Sequence, residues 1–190
     1  MEIADAQRDV RTVFMGGFGG QLVSSLVWFV SAALATWRSP KAAIISLVVG
    51  GFFIFPLTQV LLRLMGHTAS LPKGHPMNAL GMQVAFTLPF NLLLGAAAAL
   101  HNLNWFYPAF MIALGSHYLP FIFMYGMWQF GLLAALLIGA GVGLGMCFAT
   151  SFSAGAWISA VLLLIFALVG QRVFASESSQ PRNWTGTRNA

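Results

Sequence analysis

The sequence predicts an all-α membrane protein, a bundle of six transmembrane helices. Hydrophobic residues make up 58% of the 190 residues, and Asp, Glu, Lys and Arg together only 7%, against about 25% in a soluble domain. Between Lys73 and Arg172 the chain carries no acidic or basic residue apart from histidines. A water-soluble globule needs a charged surface to stay dispersed, so this composition excludes one and indicates an integral membrane protein.

Six apolar segments are long enough to cross a bilayer, which takes about 20 residues of helix. Polar or turn-forming stretches separate the first four segments: RSPK at 38–41, RLMGHTASLPKGHP at 63–76 and HNLNWFYP at 101–108. Beyond Pro108 the breaks are weaker, and we expect tight turns near 127–131 and 150–154. The predicted spans are residues 13–37, 42–62, 77–100, 109–129, 131–150 and 153–171.

The basic residues predict the orientation of these spans, because cytoplasmic loops carry an excess of Lys and Arg. With six spans, one side of the membrane holds seven of the nine basic residues: Arg8, Arg11, Arg63, Lys73, Arg172, Arg182 and Arg188. The other side holds Arg38 and Lys41. We therefore expect both termini in the cytoplasm.

The same pattern divides the chain into three parts. Residues 1–12 form a cytoplasmic segment that fits an interfacial helix, since Ile3, Ala6 and Val10 share one side and the charges lie elsewhere. The six-helix transmembrane domain covers residues 13–174, and a polar cytoplasmic tail covers 175–190.

One stretch inside the fourth span, LGSHYLP at 114–120, combines an ionisable ring with a helix-breaking proline. Pro120 has no N–H, so the carbonyl of Ser116 loses its helical partner. A bare carbonyl and a histidine are both costly against lipid, so this turn should face protein or water. His117 either lines a site for a solute or packs as a neutral ring bonded to another helix.

Polar residues on the other spans recur at helical spacing. Gln83, Thr87, Asn91 and Gly95 follow one another every four residues in the third span, which also contains Pro89. Such stripes lock helices together or line a hydrated cavity, and interrupted helices are how transporters expose backbone groups to a solute. The predicted lining of a solute site is Gln21, Gln83, Thr87, Asn91, His117 and Tyr118.

These observations leave several functions open. The first is binding or passive transport of a small uncharged solute; the second is a structural or accessory subunit whose polar residues only hold helices together. Small-xxx-small spacing in the fifth span favours close helix packing within the chain, in a homodimer or with a partner subunit; the residues are Gly139, Gly141, Gly143 and Gly145. A third reading is a haem- or quinone-associated redox protein, for which His101 and His117 are the pair of histidines on suitable segments.

Several classes of function lack the residues they need. No Asp or Glu occurs between Asp9 and Glu177, and there is neither an HExxH motif nor a nucleotide-binding loop. The histidine spacings match no metal-ligand pattern, and the scattered basic residues do not form a nucleic-acid surface. We therefore expect no catalytic residue, no metal, no cofactor and no nucleic-acid partner; the absences favour a non-enzymatic role without deciding it, and the expected partner is the lipid bilayer.

Two strings, LPKGHPMNALGMQVAFTLPF and NWFYPAFMIALGSHYLPFIFMYGM, resemble a bacterial family of small multi-span membrane proteins that is known as a domain of unknown function. The resemblance covers about residues 16–170 and is most specific at 71–78 and 104–125. It implies a single helical domain in a bacterial cytoplasmic membrane. It implies no activity and no site residue.

The predicted orientation can be tested with reporters inserted in the loops. A reporter that is active only outside the cytoplasm should be active after residue 39 and silent after residue 70, because the positively charged loops stay inside. Measuring the activity of both insertions in cells decides the point, and the reverse pattern would refute the assignment.

Overall fold

The computed structural model describes residues 2–148 and 151–178. Within these residues the chain is helical and contains no β-strand. The α-helices are α1 (Ile3–Phe14), α2 (Phe18–Trp37), α3 (Pro40–Leu64), α4 (Pro76–His101), α5 (Phe106–Tyr125), α6 (Gln129–Cys147) and α7 (Ala154–Ser178). Short 3-10 turns, Met15–Gly17 and Leu103–Trp105, precede α2 and α5.

Six of these helices are long and apolar enough to cross a membrane, with α1 and α2 counted as one continuous segment. The chain therefore has the character of a multi-pass membrane protein, and the predicted number of spans agrees with the structure. The end of the predicted fifth span at residue 150 and the tail residues 179–190 lie outside the described residues.

Two predicted boundaries were wrong. The first span does not run unbroken from residue 13, because Met15, Gly16 and Gly17 all adopt positive φ and divide α1 from α2. The fourth span ends at Tyr125 rather than at residue 129, because Gly126 takes the left-handed conformation (φ 65°) that terminates a helix. Gln129 is consequently the first residue of α6.

Proline and a polar cap begin two of the helices. Pro40 and Pro76 stand at the start of α3 and α4, where the missing N–H has no helical partner to lose. The hydroxyl of Ser39 accepts a hydrogen bond from the Ala42 amide, at 3.2 Å. The cap of α4 is the imidazole of His75, whose Nδ1 accepts from the Met77 amide at 3.2 Å.

Four helices form the centre of the bundle, and two flank it. Helix α2 packs on α7, α7 on α6, and α6 on α5. Helix α3 packs on the outer side of α2, and α4 on the outer side of α5. The most apolar stretch of each flanking helix is only 11% buried, whereas that of α5 is 44% buried. The flanking helices therefore present most of their surface to the surroundings, which for this chain means lipid.

Aromatic side chains close the ring of central helices between α2 and α5. Trp28 of α2 lies against Tyr107 and Phe110 of α5, with ring centroids 5.9 and 5.8 Å apart. Beside them the hydroxyls of Ser31 and Tyr107 are 2.6 Å apart, and Ser31 also bonds the Ala43 carbonyl of α3. One side of α2 and the residue before it therefore faces the interior, where five residues at helical spacing are all buried: Gly17, Gln21, Ser24, Trp28 and Ser31.

Glycines set the contact between α5 and α6. A methyl group on Gly141 would lie 2.7 Å from the carbonyl oxygen of Pro108. Gly145 approaches the same proline, whereas Gly139 and Gly143 face open space. Two of the four glycines predicted to pack helices are therefore used within the chain.

Helix α1 covers one end of the bundle. Its side chains Ala6 and Val10 are buried in the main hydrophobic core, while Ile3 stays 59% exposed. The predicted apolar side therefore exists, and it contacts protein as well as the surroundings.

The polar side chains of α1 bond the ends of two spans. Gln7 donates to the Phe123 carbonyl and Arg11 to the Tyr125 carbonyl, both at 2.6 Å. These carbonyls belong to the last turn of α5, which has no helical partner for them. Arg11 also pairs with Glu177 of α7, at 2.9 Å. Helix α1 thus ties the end of α5 to the end of α7.

The glycine packing gives a matched pair of variants. Gly141→Ala should lower the stability by about 1–3 kcal/mol, because the new methyl group would overlap the backbone of α5. Gly139→Ala, which adds the same group to open space on the same helix, should leave stability unchanged or raise it slightly. Thermal unfolding in detergent measures both; equal effects would contradict this packing.

Candidate functional site

His117 lies deep within α5, eight residues before the helix ends at Tyr125, or about 12 Å along the axis. The side chain is partly buried. Its ring lies against Phe121 and Tyr118, with centroids 5.1 and 5.7 Å away. The neighbouring Ser116 hydroxyl donates to the Ile112 carbonyl at 2.9 Å. The Ser116 hydroxyl therefore bonds within α5, whereas the His117 ring has its partner on α4.

Thr87 of α4 is that partner, and its hydroxyl lies between the ring and the Val84 carbonyl. The threonine hydroxyl donates its one proton to the Val84 carbonyl, at 2.7 Å. It can then only accept from His117 Nδ1, which lies 3.0 Å away. With the Thr87 proton on Val84, Nδ1 of a neutral ring is the donor to Thr87 and Nε2 is an acceptor.

Tyr118 points to the other side of α5, into the bundle. It is 4% exposed, its hydroxyl interacts with Ser24 of α2, and its ring stacks on Phe130 of α6 at 6.1 Å. Tyr118 therefore joins three helices, and it contacts His117 only through the ring edge.

The remaining candidates on α4 do not line one interior surface. Gly95 is buried against Phe106 and Phe110, Asn91 is partly buried, and Gln83 is exposed. Each step of four residues rotates about 40° around a helix of 3.6 residues per turn. The row therefore drifts from the α5 contact onto the outer surface. Gln83 therefore lies on the exposed surface of α4, and a solute lining shared by Gln83, Thr87 and Asn91 stays a prediction.

Gln21 lies at a separate place, near the break between α1 and α2. It borders a small cavity together with Gln129, Phe130 and Gly170. Of the six predicted site residues, the structure brings His117 and Thr87 together through a hydrogen bond and Tyr118 beside them. Gln21, Gln83 and Asn91 stand apart from this pair.

The chain was compared with known proteins. Residues 3–172 match the model of a family of unknown function, DUF7010. The match covers well over half of the chain.

The chain belongs to this family.

No curated protein matches it, and no solved structure does. Membership of DUF7010 agrees with the expected uncharacterised family, and it assigns no activity to any residue.

The other histidines of this DUF7010 member do not pair with His117. His101 ends α4 and stacks on Trp105, with centroids 5.4 Å apart. It lies fourteen residues beyond Thr87, the partner of His117, which is about 21 Å along the helix axis. The two rings thus cannot face each other across one haem. In the described part of the chain, no three His, Cys, Asp or Glu side chains group as metal ligands would.

Sequence reasoning missed several residues of the site. Val84 and Ser24 supply partners to His117 and Tyr118, and Phe121 and Phe130 form the walls. Phe121 stands four residues after His117, so helical spacing alone could have placed it beside the ring. The Val84 carbonyl gave no sequence signal, because any residue there supplies the same backbone group.

A pair of variants on α4 tests the Thr87 contact. Thr87→Val keeps the shape but removes the acceptor of His117 Nδ1, so it should lower stability by about 1 kcal/mol. Gln83→Leu, one turn away on the exposed surface, should be neutral or stabilising in a bilayer. Unfolding of both variants in lipid nanodiscs measures the difference. A destabilised Gln83→Leu beside an unaffected Thr87→Val would contradict the placement of α4.

Proposed function

We propose that this DUF7010 protein binds a small, uncharged, lipid-soluble molecule through the free acceptor nitrogen of His117. The single observation that carries the proposal is the bond from His117 Nδ1 to Thr87 Oγ1, at 3.0 Å. The Thr87 hydroxyl donates its proton to the Val84 carbonyl and therefore accepts from Nδ1. The lone pair of Nε2 then needs a donor from another source. The ligand class is accordingly a molecule with an O–H or N–H group, such as an alcohol, an amide or a quinol.

The surroundings of the ring favour entry from the bilayer. Thr87 is exposed and His117 is partly buried, so the pair lies at the edge of the contact between α4 and α5. One helical turn after Thr87 on α4, the apolar side chain of Phe90 is 71% exposed. A molecule dissolved in lipid can therefore reach the edge of this site by lateral diffusion, without an aqueous pore.

Prolines inside two helices support a site at this depth. Pro89 and Pro120 lie within the continuous helices α4 and α5, close in sequence to Thr87 and His117. Each removes one backbone hydrogen bond and frees a carbonyl for other partners. Passive transport of the bound molecule is the extension of this proposal, with both termini cytoplasmic and the protein in a bacterial cytoplasmic membrane.

A second candidate function, a structural or accessory subunit, is favoured by a different observation. Gly139 and Gly143 are spaced four residues apart on α6 and face open space. That spacing lets a second transmembrane helix approach closely. A stoichiometric partner or second copy that is lost in Gly139→Ile and retained in Gly51→Ile, at an equally open glycine of α3, would support this candidate; a stable isolated monomer would contradict it.

Photolabelling tests the binding proposal directly. A long-chain alcohol with a diazirine near its hydroxyl should label residues of α4 and α5 around His117 in nanodiscs. Removing one neutral hydrogen bond should weaken binding about 2- to 10-fold, so His117→Phe should reduce labelling at half-saturating probe about 1.5- to 5.5-fold. The methyl ether of the same probe, which has no donor, should need about 2- to 10-fold more probe for half-maximal labelling of the wild type.

Two controls make the result decisive. His117→Gln places an amide near the position of Nε2 and should recover part of the labelling, whereas His101→Phe at the end of α4 should leave it unchanged. Equal labelling of the wild type and His117→Phe by the alcohol would refute the proposed site.

A further inference from the structure

We infer that a single water molecule binds inside the bundle between Gln21 of α2 and Gln129 of α6. This site is separate from His117 and does not depend on the proposed function. Both glutamines border a cavity of about 10 Å³. A cavity volume of about 10–15 Å³ is enough to hold one water molecule, so the space suits one.

The polar atoms of the cavity require a hydrogen-bond donor. Gln21 is 4% exposed, and its Oε1 has no hydrogen-bond partner among the described residues. The Oε1 of Gln129 is likewise buried and unpartnered in that part of the chain. A buried acceptor without a partner costs about 1–3 kcal/mol. Two such oxygens at one cavity point to an occupant that donates twice.

No side chain among the other walls of the cavity is a hydrogen-bond donor. Met127, Phe130 and Phe166 contribute apolar side chains, and Gly16 and Gly170 contribute backbone. The carbonyl of Gly16 lies within 2.7 Å of where a methyl group on Gly170 would stand, so it is a further acceptor nearby. Water, which has two donors, satisfies both glutamine oxygens.

A metal ion fits this cavity less well than water. Hard cations take about six to eight oxygen ligands, and the cavity offers two unpartnered side-chain oxygens. The chain carries no Asp or Glu between Asp9 and Glu177, so no carboxylate from α2 or α6 could balance a charge there. A neutral donor is therefore the chemical class that the site accepts.

The break between α1 and α2 creates this space. Gly16 and Gly17 adopt φ of 62° and 88°, a conformation that costs glycine little. Gly16 crosses Gly170 of α7 so closely that a methyl group on it would lie 2.6 Å from the Gly170 carbonyl oxygen. Gln21 begins the second turn of α2 directly after this crossing, and Gln129 is the first residue of α6. The bound water therefore joins the starts of two helices.

A double-mutant cycle tests the shared water. Gln21→Met and Gln129→Met should each lower the midpoint of thermal unfolding by roughly 2–10 °C, because each leaves the other oxygen without a fixed partner. The double variant removes both oxygens and should recover most of the loss, giving a clearly non-additive cycle. Additive losses would refute a common occupant.

Two measurements on the wild type make the test independent of how the variants fold. Water-edited solid-state NMR in bilayers should show transfer from water to the Gln21 side-chain amide and none to Leu133, which is buried elsewhere in the core. Absence of transfer to Gln21 would overturn the inference. The unfolding midpoint should be equal in sodium, potassium and choline chloride; a rise specific to sodium or potassium that Gln21→Met abolishes would show a cation instead of water.

Discussion

The need to satisfy polar groups inside a hydrocarbon medium governs this protein more than any other constraint. Water is absent from the bilayer core, so each hydroxyl, amide and freed carbonyl must find its partner within the protein. The buried hydroxyls show the outcome. Ser25 of α2 donates to the Ala160 carbonyl of α7 at 2.9 Å, and Thr58 bonds the Ile54 carbonyl of its own helix at 2.7 Å. These hydroxyls therefore join two helices or bond a carbonyl of their own helix.

The same constraint explains the features that depart from a regular bundle. At one end, Gln7 and Arg11 of α1 bond carbonyls that the last turn of α5 leaves free. In the middle, Thr87 and His117 satisfy each other at the α4–α5 contact. Few polar groups remain without a partner, so the acceptors that lack one indicate where a ligand could bind. The ring nitrogen of His117 and the oxygens of Gln21 and Gln129 are the atoms on which both proposals depend.

The fold class followed from composition, because 58% hydrophobic residues with 7% charge admit few alternatives in water. The number of spans followed from segment length. The ends of helices were harder to predict. The break at Met15–Gly17 depends on backbone conformation and on contact with Gly170, neither of which shows as a change in hydropathy.

The site was predictable only in part. His117 stood out because an ionisable ring inside an uncharged span is rare, and Thr87 lay on a recognisable row. Gln83 belonged to that row by spacing but is exposed, because a four-residue repeat drifts around the helix and the width of the α4–α5 contact is set by tertiary packing. Sequence spacing therefore identified polar positions without deciding which of them meet.

The most direct measurement is the protonation pattern of the His117 ring in a lipid bilayer, read from its two ¹⁵N resonances by solid-state NMR. We expect a protonated Nδ1 and an unprotonated Nε2, with the Nδ1 signal changed by Thr87→Val. A proton on Nε2 would contradict the account. Nδ1 would then be the acceptor of the ring and would be occupied by the Thr87 hydroxyl, so no free acceptor would remain for a ligand.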